Sequence, residues 1–426
     1  MSERRSATLL VHLALATLLG VTPLFAQTGT AMEHVTFREA VRRATERNPS
    51  VGEAAQAILR AEGLLEGAKS VFKPTLYGDV STTILDAARG FAGNITQPRT
   101  QYVFNATAAY PFLAAERWAR KNQAADQVEI AKISADETRR QVALTAAQAY
   151  LAVLTAERNR EIALRNRDTA RALEEYARAR LDAGQGSRLN HVRSSQELAS
   201  SEGLVHVAEL AVEQAQEALG ISTFSEGPLE VNGDPDIEPA APSENDAWLI
   251  QRPDVRLFTA QLQAADRVVR DHWKSWVPQG TAYFTPQYVT PAGFFAPAKT
   301  WQAFFQLQIP VFDSTIGATK RVQLADRETA RIRLDSVRLE ARSEVRLAQE
   351  AVARNLQIVA ASRESAANAI EALRITEIAY KAGATTNIEV VQAQQTARNA
   401  ELAASLAQDR LSQAQLDLVV ALGQFP

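Results

Sequence analysis

The 426-residue sequence has no cysteine, only five histidines and no strong excess of either charge, with a formal net charge of -3. Each of these scarcities excludes something. Without cysteine there is no disulfide framework, no thiolate metal site and no N-terminal cysteine to carry a lipid. The near-neutral balance leaves no basic footprint for nucleic acid. The histidines, His12, His34, His191, His206 and His272, are scattered and form no His-Glu-x-x-His pair. A Gln185-Gly186 turn follows Gly184 with no Walker-type lysine, so nucleotide phosphates have no cradle. Beyond the first residues no apolar run reaches the length of a spanning helix. No nucleophile–base pair or ligand cluster is evident, and the expectation is a protein without cofactor and without catalysis. The charge clusters Arg158-Asn159-Arg160-Glu161 and Arg338-Leu339-Glu340 read as solvated helix faces.

The N-terminus stands apart. Arg4 and Arg5 precede the apolar stretch Leu9–Val21, and Ala26-Gln27 is a cleavage point despite the bulk of Leu24. Residues 1–26 therefore read as a secretory signal peptide.

What remains is an internal duplication. Asn48-Pro49-Ser50-Val51 recurs as Arg252-Pro253-Asp254-Val255, and Phe72-Lys73-Pro74 as Trp276-Val277-Pro278. Tyr110-Pro111-Phe112 recurs as Ile309-Pro310-Val311, and Leu181-Asp182-Ala183-Gly184 as Tyr380-Lys381-Ala382-Gly383, at a slightly shorter offset. Two copies of this size are halves of one architecture rather than solenoid units. The spacing predicts a first repeat over 27–227, a proline-rich acidic linker over 228–243 and a second repeat over 244–426.

Each repeat follows the same plan. A helix (Thr36–Ser70; Glu244–Ser275) precedes two strands (72–85 and 100–113; 276–289 and 300–312). A long proline-free helix follows (Ala114–Ala183; Asp313–Ala382), then a glycine-marked turn and a returning helix (Leu189–Leu219; Ile388–Leu422). At 1.5 Å per residue the long helices reach roughly 100 Å. They carry seams of mostly small residues every seven positions: Ala135, Val142, Ala149, Ala156, Ala163, Ala170 and Ala177, then Leu334, Ala341, Ala348, Asn355, Ser362, Ala369 and Thr376. A strict heptad holds one stripe against a neighbour only by left-handed supercoiling. The short helices have lengths that match the long ones when stacked in pairs, Leu189–Leu219 on Glu244–Ser275 and Ile388–Leu422 on Thr36–Ser70. That equality suits a cylinder wall.

The strands alternate. Tyr102, Phe104, Ala106, Ala108, Tyr110 and Phe112 share a face against Gln101, Asn105 and Thr107; Trp301, Ala303, Phe305, Leu307, Ile309 and Val311 oppose Gln302, Gln306 and Gln308. Gly280, Ala282 and Phe284 oppose Gln279, Thr281 and Thr285, and the weaker first strand sets Leu76, Val80 and Ile84 against Thr75, Asp79, Ser81 and Thr83. Apolar-out, polar-in strands of this length are the pattern of a membrane barrel. Four strands cannot close, and lipid tolerates no open edge, so closure needs more than one chain.

Together these features resemble the TolC family of outer-membrane efflux proteins from about Val35 to Gly423. The resemblance rests on Arg252-Pro253-Asp254-Val255-Arg256, Ile309-Pro310-Val311-Phe312-Asp313 and the duplicated tips Gly184–Asn190 and Gly383–Glu389. It implies a mainly α fold with a membrane β-barrel part: a homotrimeric 12-stranded β-barrel continuous with a periplasmic α-helical barrel, in contact with outer-membrane lipid. It further implies an exit duct for a tripartite efflux or type I secretion system, fed by a periplasmic adaptor and an inner-membrane pump of RND or ABC type. The adaptor would meet the tip residues Gly184, Gly186, Ser187, Arg188, Leu189, Gly383, Thr385 and Ile388. The family's gate positions carry over singly to Asn190, Tyr380, Glu389 and Gln392, of which only Tyr380 and Glu389 keep the family's residue character. Two departures stand out: Phe112-Leu113-Ala114-Ala115-Glu116 lacks the usual aspartate and glycine, and the first returning helix ends about four residues short of the second. A periplasmic coiled-coil protein, soluble without detergent, and an adhesin or assembly factor with large surface loops are the alternative readings. The strand connections, 86–99 and 290–299, are short for the latter.

Overall fold

The computed structural model describes residues 33–235, 237, 247–294 and 297–425. The expected signal peptide and much of the linker lie outside them. The order is β1 (Glu33–Val35), α1 (Phe37–Arg47), α2 (Pro49–Ser70), β2 (Thr75–Ile84), β3 (Arg89–Phe91), β4 (Asn94–Gln97), β5 (Thr100–Leu113), α3 (Ala115–Asp182) and α4 (Arg188–Ser222). The second half runs β6 (Leu229–Val231), α5 (Ala247–Gln251), α6 (Pro253–Asp271), a 3-10 turn over His272–Trp276, β7 (Gln279–Thr290), β8 (Lys299–Gln308), α7 (Ser314–Lys381) and α8 (Asn387–Ala421).

Several boundaries differ from the sequence reading, each for a local reason. Thr36–Ser70 is two helices, because Pro49 at the start of α2 has no N–H to continue α1. Asn48 serves both: its backbone N–H bonds Ala44, and its side chain caps Ser50 N at 3.0 Å. Glu244–Ser275 breaks the same way at Arg252-Pro253. The first strand begins at Thr75, after the turn at Phe72–Pro74, and β8 ends at Gln308 before Ile309-Pro310. The 86–99 connection holds the small hairpin β3–β4. The returning helices α4 and α8 are equal at 35 residues each, so the expected shortfall is absent. The missing aspartate does have a consequence: Asp313 caps α7 through Thr315 N at 2.8 Å, whereas Ala114 offers α3 no side-chain cap.

The expected pairing of stacked columns is corrected. Asn48 Nδ2 donates to Ser222 O at 3.4 Å, seating α2 on the end of α4. Arg252 Nη1 donates to Ala421 O at 2.9 Å, seating α6 on the end of α8. The columns are thus α4 with α2 and α8 with α6, each within its own repeat. Continuous α3 lies between the two columns, and α7 flanks the second. The predicted heptad seams are buried or half-buried throughout. α7 adds a second series, Val345, Val352, Val359, Ala366, Leu373 and Tyr380, completing a coiled-coil seam.

Midway along, β1 pairs in parallel with β6, and Tyr150 is fully buried beneath them, donating to Asn232 O at 3.1 Å and Gly233 O at 2.8 Å. This core, with Phe37 edge-on to Tyr150 at 5.5 Å, ties the N-terminal segment to α3. Beside it Arg252 is held by both carboxylate oxygens of Asp254 (3.1 and 2.7 Å) and by Glu344 at 2.8 Å. Burial pushes the Asp254 carboxyl up, but the Arg252 hydrogen bonds outweigh it and hold it below its ordinary value of 3.8. Arg252→Ala strands Asp254 and an α8 carbonyl, at a cost of about 3 kcal/mol. The Asp254 contribution is complete above the unfolded carboxyl value and is lost as pH falls through the lower folded value. Thermal unfolding of the detergent-extracted protein should therefore show an acid-side loss of stability that is diminished in Arg252→Ala.

Candidate functional site: the strand face and the helical tips

The sheet order is β2-β5-β7-β8, all antiparallel, with β5–β7 joining the halves. In register, Leu76, Ala108, Phe284 and Ala303 form one cross-strand row, and Val80, Phe104 and Tyr288 another, on the apolar face. That face is the more exposed one on β5, where Tyr102, Phe104, Tyr110 and Phe112 stand out and Gln101, Asn105 and Thr107 are half-buried. On this face Tyr102 and Tyr288 stand toward one end and Tyr110, Phe112 and Phe305 toward the other, with Phe104, Trp301 and Phe284 between them. An exposed face of aromatic and aliphatic side chains backed by a polar one is the pattern of a lipid-facing wall. Gly280 leaves room for the Phe112 ring, which a Cβ there would meet at 2.5 Å and have to displace.

Among the described residues, both rims of the sheet, β2 and β8, have no strand paired on their outer sides. The helical wall is open on the same two flanks. Exposed Leu59, Leu64, Leu204, Val207 and Leu210 lie on the α2/α4 column, and Ile332, Leu339, Leu347, Leu356, Ile370 and Ile375 on α7. Each flank of the protomer thus carries a strand edge beside an apolar helix edge. Among the described residues no helix is long and apolar enough to cross a membrane. No group of three His, Asp or Glu side chains able to hold a metal occurs among them either.

At the far end α3 and α7 finish in the same hydrogen-bonded turn. Gln185 N bonds Arg180 O at 2.9 Å and Gly184 N bonds Leu181 O at 3.0 Å; Ala384 N bonds Ala379 O at 2.8 Å and Gly383 N bonds Tyr380 O at 3.0 Å. These are paired Schellman caps, with Gly184 at φ +71° and Gly383 at φ +80°. A Cβ on Gly186 would lie 2.7 Å from Leu181 N. Ser187 caps α4 through Leu189 N at 3.2 Å, while Thr386 gives α8 no such bond. Arg188, Leu189, and Ile388 are exposed and Thr385 is half-buried.

The gate residues separate into two groups. Tyr380 is 5% exposed, packs with Leu173 and Val390, and meets the Tyr176 ring edge-on at 5.6 Å, so it links α7 to α3 and α8 inside one protomer. Beside it burial pushes the Glu377 carboxyl up, with Lys381 acting in the opposite sense. Glu389 and Gln392 lie on the exposed face of α8 and Asn190 is half-buried on α4. Glu389 sits in the first helical turn, where the helix dipole favours a carboxylate.

Sequence reasoning missed a buried polar layer beside these positions. Asn387 Nδ2 donates to Ser194 Oγ at 3.0 Å, and Glu197 accepts from Arg398 at 3.1 Å and Gln395 at 3.2 Å, joining α4 to α8. Farther from the tip the buried residues of the same helices turn mainly apolar: Val205, Val212 and Leu219 on α4; Ala407, Leu411, Ala414 and Leu418 on α8. The signal was present as polar residues at seam spacing, but spacing alone does not separate a buried polar position from a solvated one.

The sheet and the helical wall together define an outer-membrane β-barrel segment continuous with a helical duct. A family model for outer membrane efflux proteins matches residues 40–221 and 246–424, and the chain belongs to that family. It is an outer-membrane channel of tripartite efflux or secretion systems, with most of its length in the periplasm. Solved structures with the same fold include the CmeC outer membrane channel of Campylobacter jejuni (16% identity, 91% of this chain and 85% of that one, TM-score 0.78). VceC of Vibrio cholerae is similar at 17% identity over 91% and 96% of the two chains (TM-score 0.76), as is the open state of the Neisseria gonorrhoeae MtrE channel at 21% over 91% and 88% (TM-score 0.76). No curated protein matches in sequence. The family and these structures are channels rather than enzymes.

Proposed function

We propose that three copies of this chain close head to tail into a passive exit duct that catalyses no reaction. Substrate is delivered by an inner-membrane pump and a periplasmic adaptor. The observation that carries this reading is the coincidence of open strand edges and open apolar helix edges on the same two flanks. Three copies of a four-stranded sheet make twelve strands. The adaptor docks at the exposed tips around Leu189 and Ile388. Residues 27–227 and 244–426 act as the two repeats, joined by 228–243, after removal of 1–26. Extraction from outer membranes in mild detergent should yield a heat-sensitive trimer by light scattering; a soluble monomer would sink the reading in favour of a periplasmic coiled coil.

The periplasmic end is the closable one. Polar pairs such as Glu197–Arg398 can exchange for water when the helices part, whereas the apolar equatorial seam cannot do so cheaply. A ligand opens such an end only by binding the open form better. Three Glu389 carboxylates form a single acidic ring, Asn190 and Gln392 being neutral. The expected result is modest cation selectivity, and weaker block by multivalent cations applied from the tip side than in a channel with two stacked acidic rings. In planar bilayers Glu389→Gln should reduce both, and unchanged selectivity and conductance would remove Glu389 from the gate.

A further inference from the structure

We propose that the inner wall of the barrel carries a band, built from Tyr77, Asp79, Tyr283 and Phe304, that binds lipophilic cations in transit. The inference rests on the closed-barrel reading, which makes the polar sheet face the wall of the duct. On that face the strands present mostly hydroxyls and amides, with Thr107, Thr285, Gln287, Thr300, Gln302 and Gln306 representative, and a few small aliphatic residues such as Val103, Ala109 and Val289. Three aromatic rings stand among them. Tyr283 and Phe304 are direct cross-strand partners and stack with centroids 4.7 Å apart and planes 14° apart. Tyr77 lies in the neighbouring row, opposite Thr107, and is 67% exposed. All three lie within the sheet, on the face opposite Tyr102, Phe104, Phe284 and Trp301.

Asp79 is the one charged side chain on this face among the described strands. It follows Tyr77 by two residues, a separation of roughly 6–7 Å along the same face. Asn105 Nδ2 donates to Asp79 Oδ2 at 2.9 Å, which orients the carboxylate and leaves its other oxygen open. A cross-strand aromatic pair adds sheet stability on either face. The sheet needs neither the exposed Tyr77 nor a lone carboxylate beside it, but a flat cation uses both. The ring faces attract positive charge through their quadrupoles and cover apolar surface, and the carboxylate fixes the sign. A small hydrated cation gains too little to shed its water there, and an anion is repelled. Threefold repetition spaces equivalent weak sites around the duct, which lets a solute bind and still leave.

The test is block of single-channel current by tetraphenylphosphonium, with tetramethylammonium as the small-cation control. The wild-type trimer is expected to be blocked by the former at concentrations where the latter does nothing. Asp79→Asn and the pair Tyr283→Ser with Phe304→Ser should each raise the half-blocking concentration about tenfold, or about 1.4 kcal/mol. Tyr283→Phe should retain block, and heat-sensitive trimer migration checks that each variant is folded. Block unaltered by these substitutions in a conducting channel, or abolished by Glu389→Gln alone, overturns the band. Absence of conductance from the wild-type protein would instead overturn the barrel reading.

Discussion

Cells carrying Leu189→Asp together with Ile388→Asp are expected to lose export while the outer membrane still contains a normal amount of heat-sensitive trimer. Leu189 and Ile388 are 56% and 42% exposed, just past the two turns, in the first helical turns of α4 and α8. Apolar side chains so placed on both copies of a duplicated tip, beside polar Ser187 and Thr385, are the anchors that a partner's apolar tip would bury. An aspartate there must enter the interface without a counter-charge, and loss of a central anchor costs 2 kcal/mol or more, about thirtyfold per site. Two sites in each of three protomers multiply that loss. The turns themselves are a poorer place to probe. A Cβ at Gly184 or Gly383 meets nothing within 4 Å, but at φ +71° and +80° a tryptophan adds about 1–2 kcal/mol of backbone strain per site. Lost export in Gly184→Trp or Gly383→Trp is therefore interpretable only when trimer yield is unchanged. A whole-cell efflux assay beside an unheated gel of outer membranes gives the answer for the aspartate pair. Export at the wild-type rate would refute the docking site and leave the channel reading standing.

Two adjacent residues of β8 should respond in opposite ways to the same substitution. Ala303 lies on the apolar face in the row Leu76–Ala108–Phe284–Ala303, near the middle of the strands, and Gln302 on the polar face opposite Thr285. Arginine at the lipid midplane of a barrel costs about 2–4 kcal/mol, hence roughly 6–12 kcal/mol over three protomers. Ala303→Arg should abolish trimer in the outer membrane, whereas Gln302→Arg should assemble normally and shift the channel toward anion passage. Trimer recovery on unheated gels and reversal-potential measurements check the pair. Equal assembly of both would mean that the sheet does not face lipid on its aromatic side.

Much of this protein was readable from local patterns. Period-two alternation in β5 and β8 shows which side chains share a face, because successive strand residues must point apart. The heptads of α3 and α7 identify long supercoiled helices, and the glycines at 184 and 383 end them because only a residue tolerant of positive φ fits a Schellman cap. Strand boundaries were read a few residues too long, since Phe72, Trp276 and Ile309 are apolar enough to extend the pattern while the neighbouring prolines and turns end it. The strands β1 and β6 are 3 residues each, too short for any periodicity to register.

The stacking of the columns could not have come from the sequence. A duplicated chain has short helices of matching length in both halves, so length arithmetic is satisfied by either pairing. The choice is made where helix ends meet in space: the Asn48 amide on Ser222, and the Arg252 guanidinium on Ala421 with Asp254 and Glu344 around it. The same holds for Glu197 with Arg398 and for the stacked Tyr283 and Phe304. The sequence by itself determined the elements, their faces and their twofold repetition, because those follow from the geometry of single helices and strands. Only the tertiary structure decided which ends abut, which polar groups are buried together and which rings meet, because these depend on distances between segments far apart in the chain, and residue periodicity carries no information about them.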